Sequence, residues 1–249
     1  MIELRDIHKA FGEKQVLRGF SLEVGAGETM VMLGRSGTGK SVTLKMIVGL
    51  LRPDRGSVKV DDVDVATAPR AALAKVRREV AYLFQTGALV NWMSVRDNVA
   101  LPLVERRELK KPAIRARVEE TLASLDMLEA ADQFPAQISG GMRKRAALCR
   151  VLVQQPRAIL YDEPTAGLDP ILARTVADLI REVQSAGDRT ALVVTHDLEL
   201  AFSVADRIGL HNEGQLVEVG TPDEFRQSQH PVVRAFLDGK GAQPQGVQS

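Results

Sequence analysis

The segment Gly34–Ser41 has residue types suited to binding phosphate groups, since glycines alternate with small polar residues and the segment ends in a lysine and a serine. Glycine lets consecutive N–H groups point at one anion, lysine adds positive charge, and a serine hydroxyl can bind Mg²⁺. The segment matches G-x-x-x-x-G-K-[ST] in full. It follows an apolar run, Thr29–Leu33, that predicts a strand buried on both faces, which disfavours the alternative of a glycine-rich turn without a ligand. We therefore expect a nucleotide to contact Gly34, Arg35, Ser36, Gly37, Thr38, Gly39, Lys40, Ser41 and Thr43.

Two adjacent carboxylates, Asp162 and Glu163, end an apolar run that begins at Ile159. We expect Asp162 to hold Mg²⁺ together with Ser41, and Glu163 to act as the general base that activates the attacking water. An Asp-Glu pair after a strand is common by chance, so this pair takes its meaning from the phosphate loop. Pro164 follows directly and predicts a turn that leaves both carboxylates at the edge of a sheet.

The run Ser139-Gly140-Gly141 precedes a predicted helix from Met142 to about Gln154. The N–H groups at a helix start form an anion-binding surface, to which the Ser139 hydroxyl adds. Taken alone, the run predicts no more than an ordinary helix cap. Because it lies between the phosphate loop and the acidic pair, we interpret it as a second phosphate-binding surface.

The order of these three motifs resembles that of the ATP-binding cassette family, and the resemblance extends from about residue 2 to about residue 238. It implies that Phe11 stacks on adenine and that Gln85 contacts the metal ion and senses the γ-phosphate. It also implies that His196 contacts the γ-phosphate and organises the attacking water, and that Asp169 belongs to a loop that crosses a dimer interface. The residues alone leave two alternatives open, in which Phe11 is a plain apolar residue and His196 a capping or core residue.

The fold that follows is α/β, a P-loop NTPase (RecA-like) core with an antiparallel β subdomain and a helical signature subdomain. Strand-like alternation dominates the first third, helical spacing the middle, and a β-α rhythm the last third. We expect one domain over 1–240. Its parts are a core at about 1–85 and 156–211 with the β subdomain in 1–65, the helical subdomain at about 86–155, a C-terminal hairpin and helix at 212–238, and a flexible tail at 239–249.

Four stretches are similar to one subgroup, the lipid-transport ATPases of the Mla and Mce-associated type. One of them carries Met142 where the family usually has glutamine. The stretches are Phe84–Leu89, Asp97–Leu103, Ile138–Ala147 and Phe236–Gly239.

The resemblance implies ATP and Mg²⁺ as cofactors and two copies of the chain that share their ATP sites. It further implies an integral membrane permease of the MlaE type, an Mce-domain lipid-binding protein and a small STAS-type accessory subunit as partners. The expected place is the cytoplasmic face of the bacterial inner membrane. The apolar residues Leu89, Val90, Trp92 and Met93 either contact the permease or belong to the core of the helical lobe.

Composition excludes several classes of protein. The 249 residues include 33 Lys and Arg against 32 Asp and Glu, a formal charge of +1, which argues against a nucleic-acid partner. The single cysteine, Cys149, excludes an internal disulfide and lies in an apolar stretch typical of a core. The start of the chain does not resemble a signal peptide, and no apolar run reaches the ~18 residues of a membrane span. We therefore expect a soluble chain whose membrane role comes through a partner.

Three other functions compete with phospholipid transport. The same ATPase domain also drives transporters of amino acids, metals or drugs. Only the four subgroup stretches distinguish phospholipid transport from these functions. A cassette ATPase acting on DNA or ribosomes is disfavoured because the interval from Gln85 to Ser139 has no room for a long coiled coil and the chain holds one cassette. A nucleotide-binding scaffold without turnover is disfavoured by the presence of both Glu163 and His196.

Overall fold

A computed structural model describes residues 1–185 and 189–239. The predicted tail therefore lies outside the described residues, except for Gly239. Two sheets and a layer of helices make up the described part. The larger sheet has six strands in the order β10-β9-β3-β8-β7-β6, and all but β10 run parallel. Its strands are β3 (Thr29–Leu33), β6 (Val80–Leu83), β7 (Ala158–Asp162), β8 (Thr190–Thr195), β9 (Arg207–Asn212) and β10 (Gln215–Gly220).

The smaller sheet is antiparallel in the order β2-β1-β4-β5. Its strands are β1 (Ile2–Phe11), β2 (Lys14–Val24), β4 (Arg55–Val60) and β5 (Val63–Asp64). Alternate residues of β3 point to opposite faces of the larger sheet, and each face is covered by a separate apolar layer. Val31 and Leu33 join one buried cluster with the helical layer, whereas Met30 and Met32 join a second cluster with the smaller sheet. A parallel strand covered on both faces is apolar throughout for this reason.

Nine α-helices and one 3₁₀ turn connect the strands in the described ranges. They are α1 (Lys40–Ile47), α2 (Arg70–Glu79), α3 (Val95–Arg106), α4 (Lys111–Ser124), the 3₁₀ turn Pro135–Gln137, α5 (Gly140–Leu152), α6 (Pro170–Ser185), α7 (Leu198–Val204), α8 (Pro222–Gln227) and α9 (Pro231–Leu237). Within these ranges, no helix is both long and apolar enough to cross a bilayer. Cys149 of α5 is buried, and burial raises the pKa of its thiol to about 12.

Glycines set two of these boundaries. Helix α1 ends at Ile47, because Gly49 adopts a left-handed φ of 66° just past its end. Strand β4 begins at Arg55, which pairs with His8 of β1. A Cβ on Gly56 would lie 2.4 Å from the carbonyl oxygen of Asp6, so only glycine lets the two strands approach here.

Asn98 of α3 holds the loop that precedes that helix. Its side chain is fully buried, accepts a hydrogen bond from Val90 N at 2.7 Å, and donates to the carbonyls of Val90, Met93 and Ser94. These contacts satisfy backbone groups of a partly buried loop. One amide therefore fixes the conformation of the segment that carries Trp92, a side chain that is 83% exposed.

We expect Asn98→Ala to destabilise the chain by roughly 2–3 kcal/mol, since it leaves the Val90 N–H and the Met93 carbonyl without their hydrogen-bond partner. Urea unfolding measures this loss. The neighbouring exposed residue provides the control, Asn91→Ala, which should change stability little. Equal stability of the two variants would contradict the role given to Asn98.

A buried histidine on β9 lies beside the phosphate loop. The His211 ring packs against Phe20 with centroids 5.4 Å apart, and neither ring nitrogen has a hydrogen-bond partner in the described part of the chain. A Cβ on Gly34 would lie 2.6 Å from the His211 carbonyl oxygen. Burial, aided by the positive charge of Lys40, lowers the pKa of His211 to about 4. His211 is therefore neutral at physiological pH.

The pKa shift of His211 predicts a loss of stability in mild acid. An unfolded histidine has a pKa of 6.5, so the folded state binds fewer protons between pH 6.5 and about 4. The free energy of unfolding should be fully retained above pH 6.5 and fall below it, by about 1.4 kcal/mol per pH unit from this group. Urea unfolding between pH 7.5 and 5 measures it. His211→Leu should flatten the slope, whereas the half-buried surface control His8→Gln should keep it.

Candidate active site

The carboxyl ends of four neighbouring parallel strands bring the predicted catalytic residues to one edge of the larger sheet. Strand β3 runs into the phosphate loop, β7 ends at Asp162, β8 leads to His196 and β6 leads to Gln85. Leu33 pairs with Thr195 and Asp162 with Val194, so the ends of these strands are level. Residues that are distant in sequence meet here because parallel strands share one orientation.

Lys40 is the buried charge at the centre of this edge. Its ammonium donates to the carbonyls of Gly34 at 2.7 Å and Arg35 at 3.0 Å, and lies 3.0 Å from Glu163 Oε1. The Lys40 side chain thus folds back onto the start of the phosphate loop. Lys40 begins α1, whose free N–H groups face the same loop. The arrangement places the positive charge of Lys40 where a bound phosphate would need it.

The Asp162 carboxylate ties β7 to both the phosphate loop and β6. Its Oδ1 accepts a hydrogen bond from the Ser41 hydroxyl at 2.7 Å, and its Oδ2 accepts one from the Tyr82 hydroxyl at 2.6 Å. Burial and this bond raise the pKa of Tyr82, which therefore stays protonated as a donor. Tyr82 was not anticipated from sequence. Its signal is a tyrosine inside the apolar strand three residues before Gln85.

Glu163 lies between Lys40 and His196. Its Oε2 is 2.8 Å from His196 Nδ1, while its Oε1 contacts Lys40. The backbone of Glu163 has a φ of 47°, a left-handed conformation that costs a non-glycine residue about 1–2 kcal/mol. Its N–H donates to the Val194 carbonyl, which holds this conformation. Glu163 is thus buried, whereas its partner His196 is half-exposed.

The other predicted residues lie around this centre. Phe11 is exposed at the end of β1, and Gln85 is exposed in the turn after β6. Asp169 caps the first turn of α6 by accepting from the N–H groups of Ile171 and Leu172. Thr43 does not join the site, because it is fully buried and its hydroxyl donates to the Lys40 carbonyl inside α1. Thr43 thus supports the helix instead of facing the loop.

The predicted second phosphate-binding surface, Ser139–Gly141, lies at the start of α5. The Ser139 hydroxyl accepts from Met142 N at 3.2 Å, as an ordinary cap does, and α5 has no acidic residue in its first turn. A Cβ on Gly141 would lie 2.9 Å from Leu172, so this glycine permits close packing on α6. Within the described residues, no hydrogen bond or ion pair joins Ser139–Gly141 to Gly34–Ser41.

The side chains present fit a nucleotide and a divalent cation. Ser41 and Asp162 present oxygen ligands within hydrogen-bonding distance of each other, which suits the coordination of Mg²⁺. The described residues contain no group of three His, Cys, Asp or Glu that would hold a metal ion by itself. A cation here therefore needs phosphate oxygens to complete its coordination, as Mg²⁺ with a nucleotide does.

A comparison with protein-family models matches residues 17–166 to the family described as ABC transporter. One relative is the probable ribonucleotide transport ATP-binding protein mkl of Mycobacterium leprae, 42% identical over 246 residues, which cover 99% of this chain and 71% of the relative. The intermembrane phospholipid transport system ATP-binding protein MlaF of Escherichia coli K12 is 36% identical over 239 residues, which cover 96% and 89%.

Solved structures agree with these sequence relatives. The dimeric post-hydrolysis state of the ATP-binding cassette MJ0796, bound to ADP and Pi, superposes with a TM-score of 0.81 at 29% identity, covering 89% of this chain and 99% of that chain. The expected α/β cassette fold is thereby confirmed. By the family match and these relatives, the chain belongs to the ABC transporter family, as an ATP-binding subunit.

Proposed function

We propose that this chain hydrolyses ATP in a homodimer on the cytoplasmic face of a bacterial inner membrane and drives phospholipid transport through a partner permease. Proteins of its family hydrolyse ATP and work with membrane permeases. The observation that carries the catalytic part is the contact of Glu163 with both Lys40 and His196. A carboxylate between a phosphate-binding lysine and a histidine is suited to act as a general base next to the γ-phosphate.

Lys40 and Glu163 change partners when the nucleotide binds. In the structure their charges neutralise each other. A triphosphate attracts the Lys40 ammonium and frees Glu163 Oε1 to accept a proton from water. His196 holds the other oxygen of Glu163 and so orients the carboxylate. Mg²⁺, held by Ser41 and Asp162 with Gln85 near by, would supply positive charge that offsets charge developing on the phosphate oxygens.

A second copy of the chain completes the site. Ser139, Gly140 and Gly141 make no hydrogen bond to the phosphate loop of their own chain within the described residues, although they form an anion-binding helix start. In a face-to-face dimer this surface would contact the γ-phosphate held by the partner. Asp169, exposed at the start of α6, would lie between the two copies. Release of the γ-phosphate then weakens the dimer, which links hydrolysis to motion.

The choice of a lipid is supported by the MlaF relative and by a plant relative, and the name of the MlaF relative supports a phospholipid. The plant relative is Arabidopsis thaliana TRIGALACTOSYLDIACYLGLYCEROL 3, 38% identical over 259 residues, which cover 96% of this chain. A ribonucleotide is the second candidate, since the mycobacterial relatives carry that name at 42% identity. The four subgroup stretches favour phospholipid, and with it a permease of the MlaE type, an Mce-domain protein and a small STAS-type subunit.

Glu163→Gln should retain ATP binding, lower turnover by about 100-fold or more, and accumulate an ATP-bound dimer. The amide keeps the size of the side chain but cannot take a proton from water. Phosphate release measures turnover, and size-exclusion chromatography with Mg-ATP measures the dimer. The control Glu129→Gln, at an exposed glutamate of the helical layer, should behave as the wild type. Normal turnover in Glu163→Gln would remove Glu163 as the base.

The exposed Trp92 gives a test of the transport function. The tagged chain, purified from solubilised native membranes, should bring an integral membrane protein and phospholipid with it. Trp92→Ala should reduce this recovery while ATPase activity persists, because loss of a large exposed aromatic side chain weakens a protein interface. Leu128→Ala, another exposed apolar residue, is the control. Recovery of nucleoside compounds without phospholipid would favour the ribonucleotide alternative.

A further inference from the structure

Two cations of α5 bind the turn that follows Gln85. The Lys144 ammonium donates to the carbonyl of Gln85, and the Arg150 guanidinium donates to the carbonyls of Gly87 and Ala88, both at 2.7 Å. Three carbonyls of one four-residue turn are thus held by two side chains from a helix about 60 residues further along the chain. We call Lys144 and Arg150 the cation clamp.

Within the described part of the chain, the cation clamp bonds backbone carbonyls and not carboxylates. Among the described residues, no carboxylate lies within ion-pairing distance of Lys144 or Arg150, although other arginines of the helical layer pair with acids. Both clamp side chains are half-buried. Burial lowers the pKa of each, and for Lys144 the Asp162 carboxylate opposes the shift. A desolvated cation is costly, so the carbonyls of the turn are what stabilise it.

The turn itself requires an external support. Gly87 and Ala88 both adopt left-handed backbones, with φ of 73° and 47°, and Ala88 does so without the freedom of glycine. A Cβ on Gly87 would lie 3.0 Å from Ala147 of α5, so the turn packs directly on this helix. Contacts with α5 therefore add to the turn's own hydrogen bond, which Gly87 N donates to the Phe84 carbonyl at 2.8 Å.

The two ends of this assembly belong to different ATP sites. Helix α5 starts at Ser139–Gly141, which in the proposed dimer would bind the partner's nucleotide, whereas Gln85 would contact the nucleotide of its own chain. We propose that Lys144 and Arg150 are positioning residues that join α5 to the Gln85 turn, so that a phosphate bound at one site sets the position of Gln85 at the other. This inference rests on the proposed function, since it uses the shared sites of the dimer.

The alternative is that the cation clamp only stabilises the helical layer. A purely structural role predicts loss of stability together with loss of nucleotide binding. A positioning role predicts that the chain folds and binds ATP normally but turns over slowly. The conservative change Lys144→Arg keeps a donor at the Gln85 carbonyl, whereas Lys144→Met keeps the length and removes the donor. The exposed lysine of α4 provides the matched control, Lys111→Met.

The test combines kinetics with hydrogen exchange on the full chain. For Lys144→Met we expect kcat to fall about tenfold or more, the range for one hydrogen bond to a charged group. KM for Mg-ATP and the affinity for a fluorescent ATP analogue should stay close to wild type. Lys144→Arg should restore most of kcat. Amides of residues 85–90 should exchange faster in Lys144→Met, while those of residues 111–124 should not, and Lys111→Met should match wild type throughout.

Unchanged kcat and unchanged exchange in Lys144→Met would overturn the positioning role. So would an equal loss of kcat, ATP affinity and melting temperature without rescue by Lys144→Arg. Hydrogen exchange is measured without turnover. It therefore tests the role of the cation clamp even if the wild-type chain fails to hydrolyse ATP. Such inactivity, or normal turnover in Glu163→Gln, would contradict the proposed function instead.

Discussion

The buried ion pair between Lys40 and Glu163 determines the arrangement of the whole site. Two charges removed from water are costly unless each is fully compensated. Here Lys40 also donates to two loop carbonyls and Glu163 also contacts His196, so neither charge is isolated. The pair draws the phosphate loop toward the end of β7. Under the proposed function, Lys40 pairs with Glu163 until a phosphate competes for the lysine, and the proposed base then becomes available only when substrate is present.

Much of this arrangement could be predicted from the chain. The glycine loop, the acidic pair and His196 each follow an apolar run, and parallel strands place their carboxyl ends at one edge. The strand Thr29–Leu33 has the predicted bounds because an uninterrupted apolar run marks it locally. Boundaries set by backbone approach, at Gly49 and Gly56, needed the tertiary structure.

Residues with long-range polar contacts escaped the sequence analysis. Lys144 and Arg150 look like solvated positions of an amphipathic helix, and nothing local reveals that their donors meet the turn after Gln85. Tyr82 and His211 resemble core residues, and their roles follow from neighbours that β7 and the phosphate loop supply. Thr43 was predicted to contact phosphate because its hydroxyl lies close to Lys40 in the sequence. Helical geometry instead turns this hydroxyl toward the backbone, where it donates to the Lys40 carbonyl.

The buried thiol of Cys149 has a practical consequence. A sulfhydryl with a pKa of about 12 in a closed apolar layer scarcely forms the thiolate that maleimides and disulfide reagents attack. Since it is the only cysteine in the sequence, thiol reagents should leave the native chain unlabelled, and Cys149 need not be replaced before site-directed labelling. A cysteine introduced at an exposed position such as Trp92 or Ile171 would carry a fluorophore or crosslinker alone, and distances between two copies become measurable without removing a core residue.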